Sequence, residues 1–263
     1  MVEGLVKKMI GALGSTVEYK LPLGEHLLDM NQRLGGGIRL EFLGEIACVY
    51  CGRKTKKSFS QGYCYPCSQR LARCDLCIVK PELCHFSKGT CREPEWGETN
   101  CLIPHTVYLA NTSGLKVGIT RNIPSRWIDQ GAVAALPILT VGNRLDSGLV
   151  ETTLAQWVQD KTNWRTMLKG DIAPRDLQEA RDDLLSRLQE HPDVSALASP
   201  CSDAEVVELN YPVLEYPEKI KSLNLEKTPV VEGTLMGLKG QYLILDTGVL
   251  NIRKYTGYSL RVD

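Results

Sequence analysis

The sequence shows no excess of charge of either sign. Its 31 Lys and Arg residues are matched by 31 Asp and Glu residues. The electrostatic field of the whole molecule therefore does not favour a nucleic-acid partner, and binding of that kind would have to use a local basic patch. On its own, the charge balance favours a protein adaptor.

Long apolar runs are also missing. No window approaches the ~18 consecutive apolar residues that a transmembrane helix needs. The first residues, "MVEGLVKKMIGALG", carry too short an apolar run for a signal peptide. We therefore expect a cytoplasmic protein with no membrane partner. A chain of 263 residues is long enough for two or three small domains.

Cysteine, by contrast, is abundant. The chain has 10 cysteines, and because the cytosol keeps thiols reduced, metal binding explains them better than disulfides do. Two CxxC pairs stand twelve residues apart in "CVYCGRKTKKSFSQGYCYPC". Two such turns can complete a tetrahedral thiolate shell around Zn²⁺, so we predict a structural zinc site. Its ligands are Cys48, Cys51, Cys64 and Cys67.

Further candidate ligands follow in the same region, and they exceed one tetrahedral site. They are Cys74, Cys77, Cys84, Cys91 and Cys101, with His85 and His105 beside them. We expect a second zinc bound by Cys74, Cys77 and two of the later three cysteines. A cross-brace, in which Cys48 and Cys51 share a metal with Cys74 and Cys77, fits the spacing equally. Surplus residues would then serve packing or hydrogen bonding.

Basic residues alternate with aromatic residues between the first two CxxC pairs. Arg53, Lys54, Lys56 and Lys57 precede Phe59 in this loop. Such a loop suits phosphate contacts combined with base stacking, although a merely solvated charged loop has the same composition.

Three further residues are candidates for nucleic-acid binding. They are Arg121, Trp164 and Arg165. An adjacent Trp and Arg can stack a base and clamp a phosphate. Alternatively, Trp164 fills the core.

The two ends of the chain resemble each other. At one constant offset, Asn31, Arg33, Gly37 and Leu40 match Asn251, Arg253, Gly257 and Leu260. This pattern predicts a duplicated β-meander whose two copies form one barrel. Coincidence between glycine-rich hairpins is the alternative, because few hairpin sequences are available.

The middle of the chain predicts the order strand, strand, helix, strand, helix. "TVYLA" and "LKVGIT" are typical of a hairpin, and a helix follows near 123–130. "ALPILTVG" then precedes a helix over 146–161, in which Glu151 lies at the margin of the apolar face.

This segment resembles the GIY-YIG nucleases, in the variant whose second motif reads Lys-hydrophobic-Gly. "TVY", ending at Tyr108, stands where the first motif would be, and "KVG", beginning at Lys116, where the second would be. Arg126 follows at the usual distance, and Glu151 occupies the place of the metal-binding glutamate. A threonine replaces the first glycine, and "DQ" stands where a histidine would follow Arg126.

The resemblance implies a metal-dependent endonuclease. Tyr108 or Lys116 would take a proton from the attacking water, and Arg126 would stabilise charge on the phosphoryl oxygens. Glu151 would hold a Mg²⁺ ion that serves the leaving oxygen. Without catalysis, the same side chains would pack on the sheet, form ion pairs or cap a helix.

Over nearly its full length the chain is similar to an uncharacterised family of bacterial and archaeal proteins, domain of unknown function 2797. The stretches "CREPEWGE", "LKVGITR", "RWIDQGA" and "KGQYLILDTGVLNIRK" carry this resemblance, which implies no particular activity.

We therefore expect an α+β protein of four segments. They are an N-terminal β-meander (1–47), a zinc-binding region (48–105), a GIY-YIG-like domain (106–170), and a helix with a C-terminal β-meander (171–263). Three functions follow: a metal-dependent endonuclease, a non-catalytic module for RNA or the ribosome, or a zinc-stabilised protein adaptor.

Overall fold

The computed structural model describes residues 1–158 and 162–263, and it is an α+β fold with several sheets. The strands are β1 (Val2–Leu5), β2 (Ile10–Ala12), β3 (Glu18–Leu23), β4 (His26–Asp29), β5 (Gly37–Ile46), β6 (His105–Asn111), β7 (Leu115–Thr120), β8 (Ala134–Val141), β9 (Ala198–Pro200), β10 (Val207–Glu208), β11 (Val230–Lys239), β12 (Tyr242–Leu245), β13 (Gly248–Asn251) and β14 (Tyr258–Val262).

The helices lie mainly in the second half of the chain. They are α1 (Tyr65–Arg70), α2 (Pro94–Asn100), α3 (Ser125–Asp129), α4 (Arg144–Leu154), α5 (Trp164–Lys169), α6 (Leu177–Leu188) and α7 (Pro192–Ser195). The predicted helix over 146–161 corresponds to α4, and its last three predicted residues lie outside the described residues. None of the helices in the described part of the chain has the length and apolar character needed to cross a bilayer.

Strands from both ends of the chain form the largest sheet, in the order β1-β14-β5-β11-β12-β13. The pairing of β5 with β14 is antiparallel and sets Glu41 opposite Arg261, with Leu40 opposite Val262 and Leu260 opposite Phe42. The constant offset between the two ends maps Leu40 onto Leu260, so this register is symmetric about the Glu41–Arg261 pair.

The two matched segments also share one order of elements. The hairpin β3–β4, a 3₁₀ helix at Asn31–Arg33 and β5 correspond to the hairpin β12–β13, a 3₁₀ helix at Ile252–Tyr255 and β14. The repeated residues therefore occupy equivalent places in two similar units.

The prediction that these units close into one barrel is wrong. Within the described residues the six-stranded sheet is open, with β1 and β13 at its edges, and β2, β3 and β4 form a separate sheet. Both edge strands have only 4 residues. Closure requires a consistent tilt and stagger of all the strands, which such short edges do not provide.

The predicted element order over residues 106–154 is present in the second sheet, whose strand order is β10-β8-β6-β7, with β9 also on β8. One face packs on α4 and α6 through Val107, Leu109, Val150 and Leu184. The other face, which carries Tyr108, belongs to the core of the first sheet. The strands β9 and β10 and helix α6 come from the segment that the sequence analysis grouped with the C-terminal strands, yet they pack here.

Tyr108 and Gly118 face each other across β6 and β7. A Cβ atom added at Gly118 would lie 2.6 Å from the Tyr108 hydroxyl oxygen. The glycine of the "KVG" motif is therefore required because the phenol ring of Tyr108 lies over its backbone.

We predict that Gly118→Ala destabilises the protein by about 1–3 kcal/mol, since the added methyl group overpacks the sheet face. In a Tyr108→Leu background most of this penalty should disappear, because the two sites are directly coupled. Urea unfolding measures the four free energies of this cycle. Gly142→Ala is the matched control, since its Cβ would meet nothing within 4 Å. An equal cost of Gly118→Ala in both backgrounds would contradict the contact.

Candidate functional site

Four cysteine sulfurs meet beyond the end of β5. The Sγ atoms of Cys48, Cys51, Cys64 and Cys67 all lie within 4.8 Å of one another, and those of Cys51 and Cys64 are 3.7 Å apart. A zinc ion about 2.3 Å from four tetrahedral sulfurs requires a sulfur–sulfur separation of about 3.8 Å. This cluster can therefore hold a zinc ion.

Two tight turns aim these sulfurs at one point. Gly52 has a φ of +70° and its N–H donates to the Cys48 carbonyl at 2.9 Å, while Cys64 caps α1. Burial alone would raise the pKa of the Cys48 thiol, but the backbone N–H groups of Cys51 and Cys64 donate to its sulfur and lower that pKa to about 6. Thiolate is the form that binds zinc.

The later cysteines do not join this cluster. Cys74 packs beside it, whereas the others line a separate small cavity. These others are Cys77, Cys84, Cys91 and Cys101. Cys74 and Cys77, which the sequence analysis expected at one metal, therefore lie in different surroundings. They belong to two successive 3₁₀ turns, Ala72–Cys74 and Leu76–Ile78, which give the two sulfurs different neighbours. The cross-brace is likewise not the grouping seen.

The basic loop of the zinc region is exposed at Arg53, Lys54, Lys56 and Lys57. Lys54 forms an ion pair with Glu45 at 2.5 Å, and the Lys57 ammonium lies 5.5 Å from the centre of the Phe59 ring. Part of the loop's charge is thus compensated within the protein.

A surface pocket of about 300 Å³ lies next to this loop. It is lined by Ser58 and Gln61 from the loop and by Asn251, Arg253 and Lys254 from the C-terminal unit. Arg253 Nε donates to Gln61 Oε1 at 2.6 Å. Burial lowers the pKa of Arg253; the charge of Asp129 raises it, and the charge of Arg126 lowers it further. Arg253 therefore lies between the zinc region and α3.

The remaining candidates for nucleic-acid binding have partners within the protein. The Trp164 ring stacks on Tyr242 with its centre 5.7 Å away, and the Arg165 guanidinium lies 4.3 Å from the centre of the Trp164 ring. Arg121 donates to Asn100 Oδ1 at 2.8 Å and so joins β7 to α2.

Tyr108, Lys116, Arg126 and Glu151 form one polar cluster. Tyr108 and Lys116 lie on the same face of the β6–β7 ladder, opposite Gly118 and Ala110 respectively. Arg126 comes from α3 and Glu151 from α4. The charges of Lys116 and Arg126 act on Glu151, and those of Arg126 and Glu151 act on Tyr108. Four elements thus bring these side chains within electrostatic range.

Gln130, which the sequence analysis did not select, joins two members of the polar cluster. With its amide oxygen facing Arg126, it accepts from Arg126 Nε at 3.0 Å, and its nitrogen donates to the Tyr108 oxygen at 3.0 Å. The opposite orientation would set the amide N–H groups against the guanidinium donors. Its position one helical turn after Arg126 was the available signal.

Burial is the largest influence on the pKa values of Glu151 and Tyr108. It raises the pKa of Glu151 to about 6, against the attraction of Lys116, Arg126 and Arg144. It also raises the pKa of Tyr108 to about 12, against the attraction of Arg126. Tyr108 has an exposed fraction of 0%, whereas Lys116 retains 8% and Arg126 is exposed. Water therefore reaches the cluster from the side of Arg126 and Glu151.

Helix α4 connects the polar cluster to the cysteine-lined cavity. Its first residue, Arg144, donates through a terminal nitrogen to the Ile78 carbonyl at 2.5 Å. Gly148 packs directly on Pro81 and Glu82, where a side chain would collide with the backbone. Glu151 therefore depends for its position on residues of the cysteine-rich region.

These features define an α+β protein with a four-cysteine group able to hold zinc. The chain belongs to a family of proteins of unknown function, DUF2797, whose sequence model matches residues 35–260. No curated protein and no solved structure matched the chain.

We predict that Cys64→Ser abolishes zinc binding, as measured by elemental analysis of the purified protein. Structural zinc contributes ~10–16 kcal/mol of binding free energy in zinc-finger peptides, so the region should also become sensitive to limited proteolysis. Cys201→Ser is the matched control, because Cys201 lies outside the cysteine-rich region, with its sulfur 3.4 Å from the Thr140 hydroxyl. Unchanged zinc content in Cys64→Ser would contradict the assignment.

Glu151→Gln should stabilise the protein at neutral pH by about 1–2 kcal/mol. Because the folded-state pKa is raised from 4.5 to about 6, the folded carboxyl group binds its proton more tightly than the unfolded one. The stability it contributes is present below 4.5 and is lost as pH rises through about 6.

Urea unfolding of wild type and variant at matched pH values measures the difference between their free energies of unfolding. The pH-dependent contribution of the cysteines is the same in both proteins and drops out of this difference. The stability difference should grow between pH 4.5 and about 6, and Glu190→Gln, an exposed control, should show no such trend. A variant less stable than wild type at neutral pH would mean that ion pairing outweighs burial.

Proposed function

We propose that the protein binds nucleic acid and hydrolyses a phosphodiester bond at the polar cluster. The observation that carries this proposal is that Lys116 and Arg126, from two different elements, both lie within electrostatic range of Glu151 on a third. A cation pair beside a carboxylate suits a phosphate, whose charge increases as the transition state forms. The resemblance of residues 106–161 to GIY-YIG nucleases supports the same chemistry.

The exposure of each side chain suggests its role. Arg126, which is exposed, is suited to contact a phosphoryl oxygen, and its guanidinium can do so through two N–H groups. Lys116 is better placed than Tyr108 to contact a substrate, because Tyr108 is completely buried, and as an ammonium group it would share with Arg126 the charge of the phosphate. Tyr108 then acts as a positioning residue that orients Gln130 and, through it, Arg126.

Glu151 is the residue that would hold Mg²⁺, and Glu82 acts on it electrostatically as a second carboxylate. Protein sites for Mg²⁺ commonly supply one or two carboxylates and leave the other positions to water and substrate phosphates. When bound, the ion would supply charge stabilisation at the leaving oxygen.

A path of basic residues supports nucleic acid as the substrate class. Arg253 contacts Gln61 of the zinc region and acts electrostatically with Arg126. A strand lying along the pocket beside Arg253 would therefore run from the zinc region towards Arg126. Such a local patch is what a nucleic-acid partner would need on a protein of zero net charge.

A non-catalytic nucleic-acid-binding module is the second candidate. The complete burial of Tyr108 favours it, because a tyrosine inaccessible to water cannot act on a substrate directly. In this case the cluster would serve only to bind phosphate.

We predict divalent-ion-dependent cleavage of DNA or RNA by the wild type, assayed on a mixed set of labelled substrates. Glu151→Gln should reduce kcat by about 100-fold or more, with substrate binding by fluorescence anisotropy unchanged. The exposed-residue control Glu190→Gln should behave as wild type.

Arg253→Gln should weaken binding and reduce the slope of log affinity against log salt by about one unit. Binding by wild type without cleavage in any divalent ion would exclude the hydrolase and leave the binding module. The absence of salt-dependent binding would exclude both.

A further inference from the structure

Four cysteines outside the zinc cluster surround one small cavity. They are Cys77, Cys84, Cys91 and Cys101, and none of them forms a disulfide. Cys101 is buried and the other three are half-buried. Four thiols around one space form a complete donor set for a metal centre.

The space between these sulfurs is larger than one metal ion needs. The sulfurs of the zinc cluster lie within 4.8 Å of one another, whereas no three of these four, all in the described part of the chain, meet that limit. A lone zinc draws its four sulfurs to about 3.8 Å of each other. Iron–sulfur clusters are also bound by four cysteine thiolates, but iron and sulfide ions separate them.

Asp75, Cys77 and His85 form a neighbouring group whose potential ligand atoms lie within 4.8 Å of one another. Ion pairing accounts for the closeness of Asp75 and His85 without a metal. Arg92 Nε binds Asp75 Oδ2 at 2.6 Å, and His85 Nε2 lies 3.4 Å from the same oxygen. Two of the three members are thus engaged in an ion-pair network. The Cys77 sulfur is left to the cavity.

The walls of the cavity suit a buried anionic cofactor. Phe86, Trp96 and Ile78 provide apolar shelter, and Gly97 lets α2 approach, since a Cβ there would lie 2.9 Å from the Phe86 ring and 3.4 Å from the Cys91 sulfur. Arg92 also lines the cavity.

Two more arginines act on this site. The charges of Arg144 and Arg121 act on the Cys101 sulfur. Arg144 and Arg121 donate to neutral acceptors, the Ile78 carbonyl and the Asn100 side chain, so their positive charge remains to compensate a cluster bound by four thiolates.

We propose that Cys77, Cys84, Cys91 and Cys101 bind an iron–sulfur cluster. The site is separate from the zinc cluster and does not depend on the proposed hydrolysis. Its ligands are spread along "CIVKPELCHFSKGTCREPEWGETNC", whereas ferredoxin motifs place most of theirs a few residues apart. Cluster binding would order the turns that support α4 at Arg144 and Gly148.

The test is the metal content of the full-length protein, purified without oxygen or reconstituted with ferrous iron and sulfide. We expect iron and acid-labile sulfide in equal amounts, visible absorption that dithionite bleaches, and zinc retained at the other site. The iron content of Cys84→Ser should be at least ten-fold lower than that of wild type, with its zinc content unchanged.

Cys74→Ser is the matched control, because Cys74 packs beside the zinc cluster and does not line the cavity; it should retain iron. Wild-type protein with a second zinc and no sulfide, or without iron after reconstitution, would overturn the proposal. So would equal loss of iron in Cys74→Ser and Cys84→Ser. The wild-type measurement is decisive even if a variant fails to fold.

Discussion

The antiparallel pairing of β5 with β14 is the constraint on which the rest of the structure depends. It joins the two ends of the chain within the largest sheet, in which β5 and β14 are both interior strands. Beyond this pair, the Ala47 N–H donates to the Gly257 carbonyl at 2.8 Å, which fixes the backbone just before Cys48. The same strand end places the 3₁₀ helix that carries Arg253. The first turn of the four-cysteine cluster and the pocket beside Arg253 are thus fixed by the same pair of strands.

Helix α4 connects the cysteine-rich turns to the polar cluster. Arg144 and Gly148 hold it against the cysteine-rich turns, and Glu151 follows on the same helix. Burying a carboxyl group is unfavourable unless cations compensate it, and the raised pKa of Glu151 shows that compensation is incomplete. Uncompensated charge at a partly open site is typical of binding and catalysis rather than of packing.

Short-range patterns in the sequence were reliable where one turn decides the geometry. The two CxxC pairs specify the four-sulfur cluster because each pair is a local turn, and the alternation of apolar residues specifies the order β6, β7, α3, β8, α4. Cys74 and Cys77 show the limit, because equal spacing does not reveal that their sulfurs have different neighbours. The sequence also could not show that the six-stranded sheet stays open, since barrel closure depends on strand stagger, which no local pattern encodes. Gln130 was missed because its importance arises only from Tyr108, on another element.

The zero net charge conceals a local imbalance. Among the acids near α3, Asp129 is bound by Lys8 at 2.6 Å and by the Gln241 amide at 2.8 Å. Arg126 instead bonds to the neutral Gln130 amide, which satisfies its donors without cancelling its charge. Of the two residues in "DQ", the acid is thus held by Lys8 and Gln241, and the amide leaves the positive charge of Arg126 without a carboxylate partner at this position.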